Sequence, residues 1–385
     1  MPYESYVPPI EPVSSDYYIA CHFFPGWNVR ENGYSGLKDI EDFPDRMPLV
    51  GYYDEADPEI ADWQFKWALE HGINCFIYCW YRSFDNVGHP VTKDGLRLAH
   101  EIDAHKASRF GKQMDYAIMW ECDNAGGTEG EDDLVNNLLP FWVKEYFNDP
   151  NYQKIDGKPV LYLYDPAFKI ERKLGEGAIT PLVAKLKEKI KDYGFDGLYV
   201  YAEHRHADPV KLDKWKERGV DGVFAYCWPT VSHAPSDEEV LADEYAHMDA
   251  GIAYDPSFAS ILTCSQSWDP TPWRRREPNG MTGITRWKLT PNNWRKLLEE
   301  TKKKMDALPE GAPGKRFVIL DNWNEWCEGH YIMPHLSGGF KYLEAVREVF
   351  TKRDNLPDYR LPAVLGRGPF DEKIDLTAER LWYTF

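Results

Sequence analysis

Runs of apolar, β-forming residues recur along the whole chain and are separated by stretches with helical spacing. They are apolar on both faces, which is typical of parallel strands covered by helices. The eight segments are YIACHFF at 18–24, NCFIYCW at 74–80, DYAIMW at 115–120, PVLYLY at 159–164, GLYVYAE at 197–203, DGVFAYCW at 221–228, SFASILTC at 257–264 and RFVILDNW at 316–323. The pattern predicts eight buried parallel strands.

The stretches between these segments carry apolar residues on one helical face. The clearest faces are formed by Ile60, Trp63 and Trp67, by Leu182, Leu186 and Ile190, and by Tyr342, Val346, Val349 and Phe350. Eight strand–helix alternations predict an α/β fold, a (β/α)8 TIM barrel, as a single domain over residues 1–385 with loop insertions. We expect the Pro-rich tail, from about 352 to 385, to be a C-terminal appendage.

Two glutamates follow the last predicted strand. In FVILDNWNEWCEGHYIMPH at 317–335, Glu325 and Glu328 stand among tryptophans where a barrel keeps its chemistry. Cleavage of a glycosidic bond needs two carboxylates, because one protonates the leaving oxygen while the other acts on the sugar. Carboxylates at a helix start would have the same spacing, but the flanking indoles and the strand-end position favour catalysis. We therefore predict a carbohydrate-active enzyme with catalytic Glu325 and Glu328.

The composition narrows the class of partner. The chain has 63 acidic and 45 basic residues and a formal charge of −18, which argues against nucleic acid or an anionic membrane as a general partner. No apolar run approaches the length of a membrane span, so none is predicted. The aromatic content of 15%, with 15 Trp and 24 Tyr, agrees with a sugar-binding cleft.

The cysteine content and the N-terminal segment carry information about the cellular compartment of the protein. The seven cysteines are odd in number and contain no CxxC pair, which predicts reduced thiols rather than disulfides. The opening MPYESYVPPIEPVSS has neither the basic segment nor the apolar core of a signal peptide. The localisation stays open between a cytoplasmic protein and a periplasmic or secreted one whose signal peptide was removed.

Residues 323–330, WNEWCEGH, resemble the WNEW-x-EGT motif of the family 99 glycoside hydrolases and their WbsX-like relatives. WDPTPWRR at 268–275 is similar to the WD-x-TPR segment of WbsX-like chains, and the aromatic segment 75–81 is a weaker similarity. The resemblance implies a (β/α)8 enzyme that acts on α-linked sugars, as endo-α-mannosidases do.

The resemblance also implies the role of each glutamate. In that family the first glutamate of the motif takes the proton of the substrate 2-hydroxyl, which attacks the anomeric carbon and gives a 1,2-anhydro sugar. The second glutamate acts as acid and then as base. These roles carry over to Glu325 and Glu328. His330 replaces the usual Thr, Met333 a frequent Glu, and WECD at 120–123 a WANEN-like segment, and these departures bear on sugar specificity.

Polar and aromatic residues at the other strand ends complete the predicted cleft. The predicted substrate-binding residues are Trp27, Tyr78, Trp80, Trp120, Glu121, Glu203, His204, Trp228, Trp268, Arg274, Trp323, Asn324, His330 and Tyr331. Glu203 is equally compatible with binding substrate hydroxyls and with an ion-paired network. Arg274 opens a basic run that is either surface or a guanidinium site for a uronate or sulfate.

No zinc spacing is present, neither HExxH nor CxxC, so we predict no metal and no cofactor. The predicted function is a glycoside hydrolase that cleaves an α-linked bond in an oligosaccharide or polysaccharide, with retention through an anhydro sugar. A non-catalytic carbohydrate-binding protein and a glycosyltransferase of surface polysaccharide synthesis remain as alternatives. The oligomeric state is open.

Overall fold

The computed structural model describes residues 6–11, 13–27, 36–98, 100–122, 127–230, 233–275, 279–352 and 355–365. Eight parallel strands form the wall of a barrel. They are β1 (Tyr18–Phe23), β2 (Cys75–Arg82), β3 (Asp115–Glu121), β4 (Lys158–Tyr164), β5 (Tyr199–Glu203), β6 (Gly222–Phe224), β7 (Leu262–Ser265) and β8 (Phe317–Asp321). Each strand overlaps one of the eight apolar segments, so the predicted TIM barrel is confirmed.

The hydrogen-bonded order around the wall is β7, β8, β1, β2, β3, β4, β5, β6. Between β6 and β7 single hydrogen bonds replace a ladder. Thr263 Oγ1 donates to the Ala225 carbonyl at 2.9 Å, and the Val223 N–H donates to the Phe258 carbonyl at 3.2 Å. These bonds complete the wall, and they explain why β6 is shorter than its predicted segment.

Helices cover the outside of the wall. They are α1 (Leu37–Ile40), α2 (Pro58–Glu70), α3 (His100–Ala107), α4 (Glu131–Asp133), α5 (Leu139–Trp142), α6 (Pro166–Leu174), α7 (Ile179–Lys189), α8 (Pro209–Glu217), α9 (Asp237–Tyr254), α10 (Thr271–Arg274), α11 (Pro291–Ala307) and α12 (Lys341–Phe350), with π-helical turns at Leu134–Leu138 and Val143–Phe147. The long α9 begins at a capping box, in which Ser236 and Glu239 bond each other's backbone N–H.

Short antiparallel pairs extend the barrel at its ends. Ser14–Ser15 pairs with Thr351–Lys352, and Ser267–Trp268 pairs with Trp287–Lys288. Two further short strands, Leu96–Leu98 and Lys154–Ile155, pair with β2 and β4. The pair that contains Trp268 follows β7 directly and therefore places that indole at the C-terminal end of the barrel.

Side chains of β2 alternate between the barrel interior and the helical layer. Cys79 points inward, where its Sγ lies 3.7 Å from Tyr226 Oη. Trp80 points outward, and its ring lies 5.5 Å from that of Trp142 on α5. Both faces of the strand are buried, so the core extends from the interior of the barrel through the wall to the helices.

The described part of the predicted tail packs on α2. Asp358 forms an ion pair with Lys66 at 3.5 Å, and the Tyr359 ring lies 4.9 Å from that of Phe340. Residues 366–385 lie outside the described residues, so the appendage and the single-domain boundary stay predictions. In the described part of the chain, no helix combines the length and apolar character that a bilayer crossing requires.

Candidate active site

The loop after β8 folds back over the C-terminal end of the barrel. Two backbone bonds close it: the Ile332 N–H donates to the Asn322 carbonyl at 3.0 Å, and the Met333 N–H donates to the Trp323 carbonyl at 2.9 Å. The segment between them therefore projects from a fixed base, directly above the interior of the barrel. This is the segment that contains both predicted catalytic glutamates.

A tight turn brings the two glutamates together. The N–H groups of Glu328 and Gly329 both donate to the Glu325 carbonyl, at 3.2 and 3.1 Å. Gly329 has φ +80°, and a Cβ there would lie 2.7 Å from the Asp269 nitrogen. Only glycine tolerates both conditions. The glycine thus allows the chain to reverse, and residue 330 returns to pair with residue 325.

His330 bridges the two carboxylates. Its Nε2 lies 3.1 Å from Glu325 Oε2 and 3.3 Å from Glu328 Oε2. Its Nδ1 lies 2.5 Å from Asp321 Oδ1 at the end of β8. The His330 side chain is fully buried, whereas Glu328 is 23% exposed. Glu328 is therefore the member of this cluster that is most open to a ligand.

Burial and neighbouring charges set the ionisation of this cluster. Burial by itself would lower the pKa of the His330 imidazole, but the carboxylates of Asp321 and Glu325 outweigh it and raise that pKa well above its ordinary value. The pKa of Glu328 is raised, first by burial and then by the adjacent Glu325. The neighbouring carboxylates thus favour the charged form of His330, and burial beside Glu325 disfavours the charged form of Glu328.

Two neutral donors hold Glu325 on its other side. The Tyr226 hydroxyl, just after β6, donates to Glu325 Oε2. The Asn322 amide donates to the same oxygen at 3.1 Å and to Tyr226 Oη at 2.7 Å. Among the described residues, these contacts and that of His330 all involve Oε2, so Oε1 is the oxygen left to face a ligand.

Trp268 covers the bridging histidine. Its ring centroid lies 5.2 Å from that of His330, and the indole is partly exposed. The preceding Ser267 donates its hydroxyl to the Gly329 carbonyl at 2.5 Å. Trp268 is therefore held beside the glutamates with part of its surface free, as a sugar platform requires.

A second group of charges lies at the ends of β3 and β4. Lys169, near the start of α6, forms an ion pair with Glu121, and its Nζ lies 4.8 Å from the centre of the Tyr164 ring. Burial and then the nearby Arg205 charge lower the pKa of Lys169 to about 8. The charge of Glu328 acts on Lys169 as well and raises its pKa, so the two groups lie within electrostatic reach of each other.

Glu203, at the end of β5, is part of an ion-paired network. Its Oε1 accepts from Arg205 Nε at 3.3 Å, and Arg205 also lies 3.8 Å from Asp165. Burial raises the pKa of Glu203 to about 7 despite the nearby guanidinium. Arg205 also lowers the pKa of Glu328. The structure therefore places Glu203 in an ion-paired network; hydroxyl binding stays a prediction.

Four predicted binding residues lie on the helix side of the wall: Tyr78, Trp80, Trp120 and Trp323. Their neighbours are His105 Nδ1 at 3.0 Å for Tyr78, Tyr146 Oη at 3.0 Å for Trp80, the Trp142 ring at 5.2 Å for Trp120 and the Phe76 ring at 5.1 Å for Trp323. All four are at most 1% exposed. Strand alternation turns Tyr78, Trp80 and Trp120 outward, and Trp323, which follows β8, packs on Phe76 of the helix-facing layer. These positions do not agree with the expectation that the four residues line the cleft.

Five further predicted binding residues are buried supports of the surrounding loops: Trp27, His204, Trp228, Asn324 and Tyr331. Their main contacts are the Glu55 carboxylate for the Trp27 N–H, the Trp228 ring for His204, the Thr263 carbonyl for the Trp228 indole, the Phe24 N–H for Asn324 and the Trp326 ring for Tyr331. Trp228 thereby joins β6 to β7. Protein covers all five in this structure, and ligand binding by them stays a prediction.

Arg274 lies on α10 with its guanidinium carbon 5.2 Å from the centre of the Trp273 ring. It is partly exposed, and the next residue, Arg275, pairs with Asp42 at 2.8 Å. Arg276 and residues 123–126 lie outside the described residues. Anion binding by Arg274 stays a prediction.

The sequence-based site omitted four residues that contact the catalytic cluster or its rim. They are Asp321, Asn322, Tyr226 and Lys169. The first three lie at strand ends, a position that could have identified them. Lys169 lies within a helical segment, and no sequence pattern marks it.

Two overlapping groups have the donor types of a metal site: Glu325, Glu328 and His330, and Cys227, Asp321 and His330. In each group one ligand atom per residue lies within 4.8 Å of the others. The prediction of a metal-independent enzyme is untested.

Two solved structures have a fold similar to that of this chain. The endo-α-mannosidase of glycoside hydrolase family 99 from Bacteroides thetaiotaomicron, in complex with bis-tris-propane, superimposes with a TM-score of 0.60 at 15% identity, covering 86% of this chain and 95% of that one. A glycoside hydrolase-like protein gives a TM-score of 0.63 at 18% identity, covering 91% and 98%. At these identities the likeness establishes a glycosidase-like barrel fold.

Two curated relatives are the uncharacterised WxcX proteins of two Xanthomonas campestris pv. campestris strains. They are 21% and 22% identical over 335 and 332 residues, which cover 80% of this chain and 44% of each relative. The chain spans less than half the length of these relatives.

A family model described as glycosyltransferase WbsX matches residues 129–346. The match covers more than half of the 385 residues, and it includes the turn with both glutamates, the Trp268 strand and Lys169 but not Glu121. The chain therefore belongs to the WbsX family.

Proposed function

We propose that this protein is a retaining glycoside hydrolase that cleaves an α-linked bond in an oligosaccharide or polysaccharide through a 1,2-anhydro sugar. The observation that carries the proposal is the pairing of Glu325 and Glu328 across His330 Nε2, at 3.1 and 3.3 Å. One carboxyl oxygen of each glutamate lies within 4.8 Å of the other. This closeness favours a retaining pair over an inverting one, which needs room for water between its carboxyl groups.

The environments of the two glutamates suit different roles. Glu328 is the more exposed, and burial beside Glu325 raises its pKa, as a general acid requires. Glu325 is held by Tyr226, Asn322 and His330 through a single oxygen. Its free Oε1 is available to accept a proton from a substrate hydroxyl.

The reaction then has two balanced steps. Glu325 takes the proton of the 2-hydroxyl, O2 bonds to the anomeric carbon, the glycosidic bond breaks, and the Glu328 proton goes to the leaving oxygen. In the second step Glu328 takes a proton from water and the water oxygen bonds to the anomeric carbon. The bond between O2 and the anomeric carbon breaks, and O2 regains its proton from Glu325. Both glutamates return to their starting state, with net retention.

Trp268 is the proposed platform for the sugar at this centre, since its indole is partly exposed beside His330. Glu121 and Lys169 form the proposed polar rim that binds hydroxyl groups on the other side. An α-mannoside is the first substrate to test, because the family 99 structure of similar fold is an endo-α-mannosidase.

Substitution of each glutamate tests the roles. Glu328→Gln should spare aryl glycosides with a good leaving group, because these need little protonation, while activity on natural glycans falls by about 10²–10⁴-fold. Glu325→Gln should lower the rate on both substrates. The measurement is kcat/KM on matched aryl and natural glycosides, with thermal denaturation to verify folding.

A 2-deoxy substrate tests the anhydro step directly. Without the 2-hydroxyl there is no internal nucleophile, so wild-type protein should leave this glycoside intact. Rapid turnover of a 2-deoxy substrate would instead indicate a two-carboxylate mechanism that draws on Glu121 or Glu203. NMR of the first product formed from a natural glycan should show a retained anomeric configuration.

The family description supports glycosyl transfer as a second candidate function. Incubation of the protein with an activated sugar donor and an acceptor glycan, beside a reaction with water alone, separates the two activities. Donor-dependent growth of the acceptor without hydrolysis would replace our proposal. Saturable binding with neither reaction, unchanged in Glu325→Gln, would indicate a carbohydrate-binding protein.

A further inference from the structure

His330 contacts both proposed catalytic carboxylates yet is fully buried. A group with no exposed surface does not reach a sugar in the cleft, so direct substrate binding does not explain this contact. Its two nitrogens have separate partners: Nε2 faces Glu325 and Glu328, and Nδ1 lies 2.5 Å from Asp321. The imidazole thus joins the end of β8 to the catalytic turn.

A bridge of this kind has an electrostatic consequence. Two carboxylates held within a few ångströms repel each other when both are ionised, and in a buried site this repulsion is large. An imidazolium between them attracts both and donates a hydrogen bond towards each. Asp321 fixes the ring orientation through Nδ1, because a planar ring held at one nitrogen points the other in a set direction.

We propose that His330 is a positioning residue. As a cation anchored on Asp321, it holds the carboxyl groups of Glu325 and Glu328 in place through Nε2. Its charge also sets the pH at which Glu328 loses its proton. This role rests on the proposed hydrolytic function and deepens it. His330 itself neither touches the sugar nor gains or loses a proton during turnover.

Arg205 also lowers the pKa of Glu328, but among the side chains that pack on His330 the imidazole itself is the group that carries positive charge. His22 from β1 is kept neutral, because burial lowers its pKa to about 3. Burial also raises the pKa of Tyr226 and that of Cys227 well above their ordinary values, so both stay protonated. The acidic groups that contact His330 are Asp321 and the two glutamates.

The charge of His330 is measurable in the resting protein without any substrate. Nitrogen-15 NMR of the side chains should show one imidazole that is protonated on both nitrogens at about pH 8 and that disappears in His330→Gln. His71, a buried histidine on α2 whose pKa burial lowers to about 4, should be neutral in the same spectrum. A neutral His330 at about pH 7 would overturn the proposal, whether or not the protein hydrolyses glycans.

Kinetics then test the effect on Glu328. His330→Gln retains an N–H donor near the Nε2 position but removes the charge. The alkaline limb of the kcat/KM profile, where Glu328 loses its proton, should move up by about one pH unit, because an opposite charge within a few ångströms lowers a carboxyl pKa by that order. His330→Asn, whose amide reaches only towards Asp321, should move the limb in the same direction and lower kcat further.

His71→Gln is the matched control, since it removes a buried imidazole far from the glutamates, and its limb should coincide with that of wild type. A lower rate in His330→Gln with an unmoved alkaline limb would mean that His330 is merely structural and would overturn the proposal. Should both His330 variants fail to fold, the NMR result on wild type decides alone. Absence of hydrolysis by wild type would refute the proposed function but not the measured charge of His330.

Discussion

At the scale of single residues, Glu203 illustrates what burial costs a charged group. The carboxyl is 3% exposed, and the guanidinium that pairs with it, from Arg205, is half exposed. Burial therefore outweighs the ion pair and raises the pKa of Glu203 from 4.5 to about 7. A group whose pKa is raised on folding stabilises the fold below its unfolded pKa, and that contribution is lost as the pH rises through its folded value.

Glu203→Gln should consequently remove part of the pH dependence of stability. At about pH 8 the variant should be more stable than wild type by about 2 kcal/mol, since each unit of pKa shift corresponds to about 1.4 kcal/mol and Arg205 loses a charged partner. At about pH 4 the two should be equal. Urea unfolding at both pH values measures this, with the exposed Glu188→Gln as control; a variant that is less stable at the higher pH would contradict the argument.

At the scale of elements, the position of an indole relative to the barrel wall distinguishes Trp80 from Trp268. Trp80 on β2 is fully buried, and its N–H donates to Tyr146 Oη at 3.0 Å. Trp268, on the short strand after β7, lies partly exposed over His330. The first should affect stability and the second glycan binding.

Paired alanine variants test this division. Trp80→Ala should lower the free energy of unfolding by about 3–5 kcal/mol, because it leaves a cavity in a packed layer, while KM of the folded protein stays near that of wild type. Trp268→Ala should change stability by less than about 1 kcal/mol and raise KM for glycans. Denaturant unfolding and steady-state kinetics on both proteins give the answer. If KM rose in Trp80→Ala and not in Trp268→Ala, Trp80 rather than Trp268 would be the indole that binds the glycan.

At the scale of the whole molecule, the formal charge of −18 acts on any charged substrate. An anionic glycan is repelled at low ionic strength, so its kcat/KM should rise several-fold between about 0.01 M and about 0.15 M salt as the charges are screened. A neutral glycan should show no such change. If kcat/KM for the anionic glycan fell with salt, and Arg274→Ala abolished this fall, attraction by the Arg274 guanidinium would outweigh repulsion by the net charge of the protein.

Much of the architecture was determined by the sequence. Eight apolar segments predicted the eight strands of the barrel, because buried parallel strands need apolar residues on both faces. The strand-end position of Glu325 and Glu328 followed from the same pattern, since β8 ends at Asp321 and the loop begins there. Local spacing also implied their closeness, which the turn at Gly329 produces.

Only the tertiary structure decided which aromatic residues face the cleft. A strand that is apolar on both faces carries no sequence signal for which face points inward, so the outward orientation of Trp80 and Trp120 could not be predicted. The contacts of Tyr226 with Glu325 and of Lys169 with Glu121 were not predictable either, because the partners lie about 100 and about 50 residues apart in the chain. Closure of the barrel brings them together, because parallel strands place all their carboxyl ends at one face.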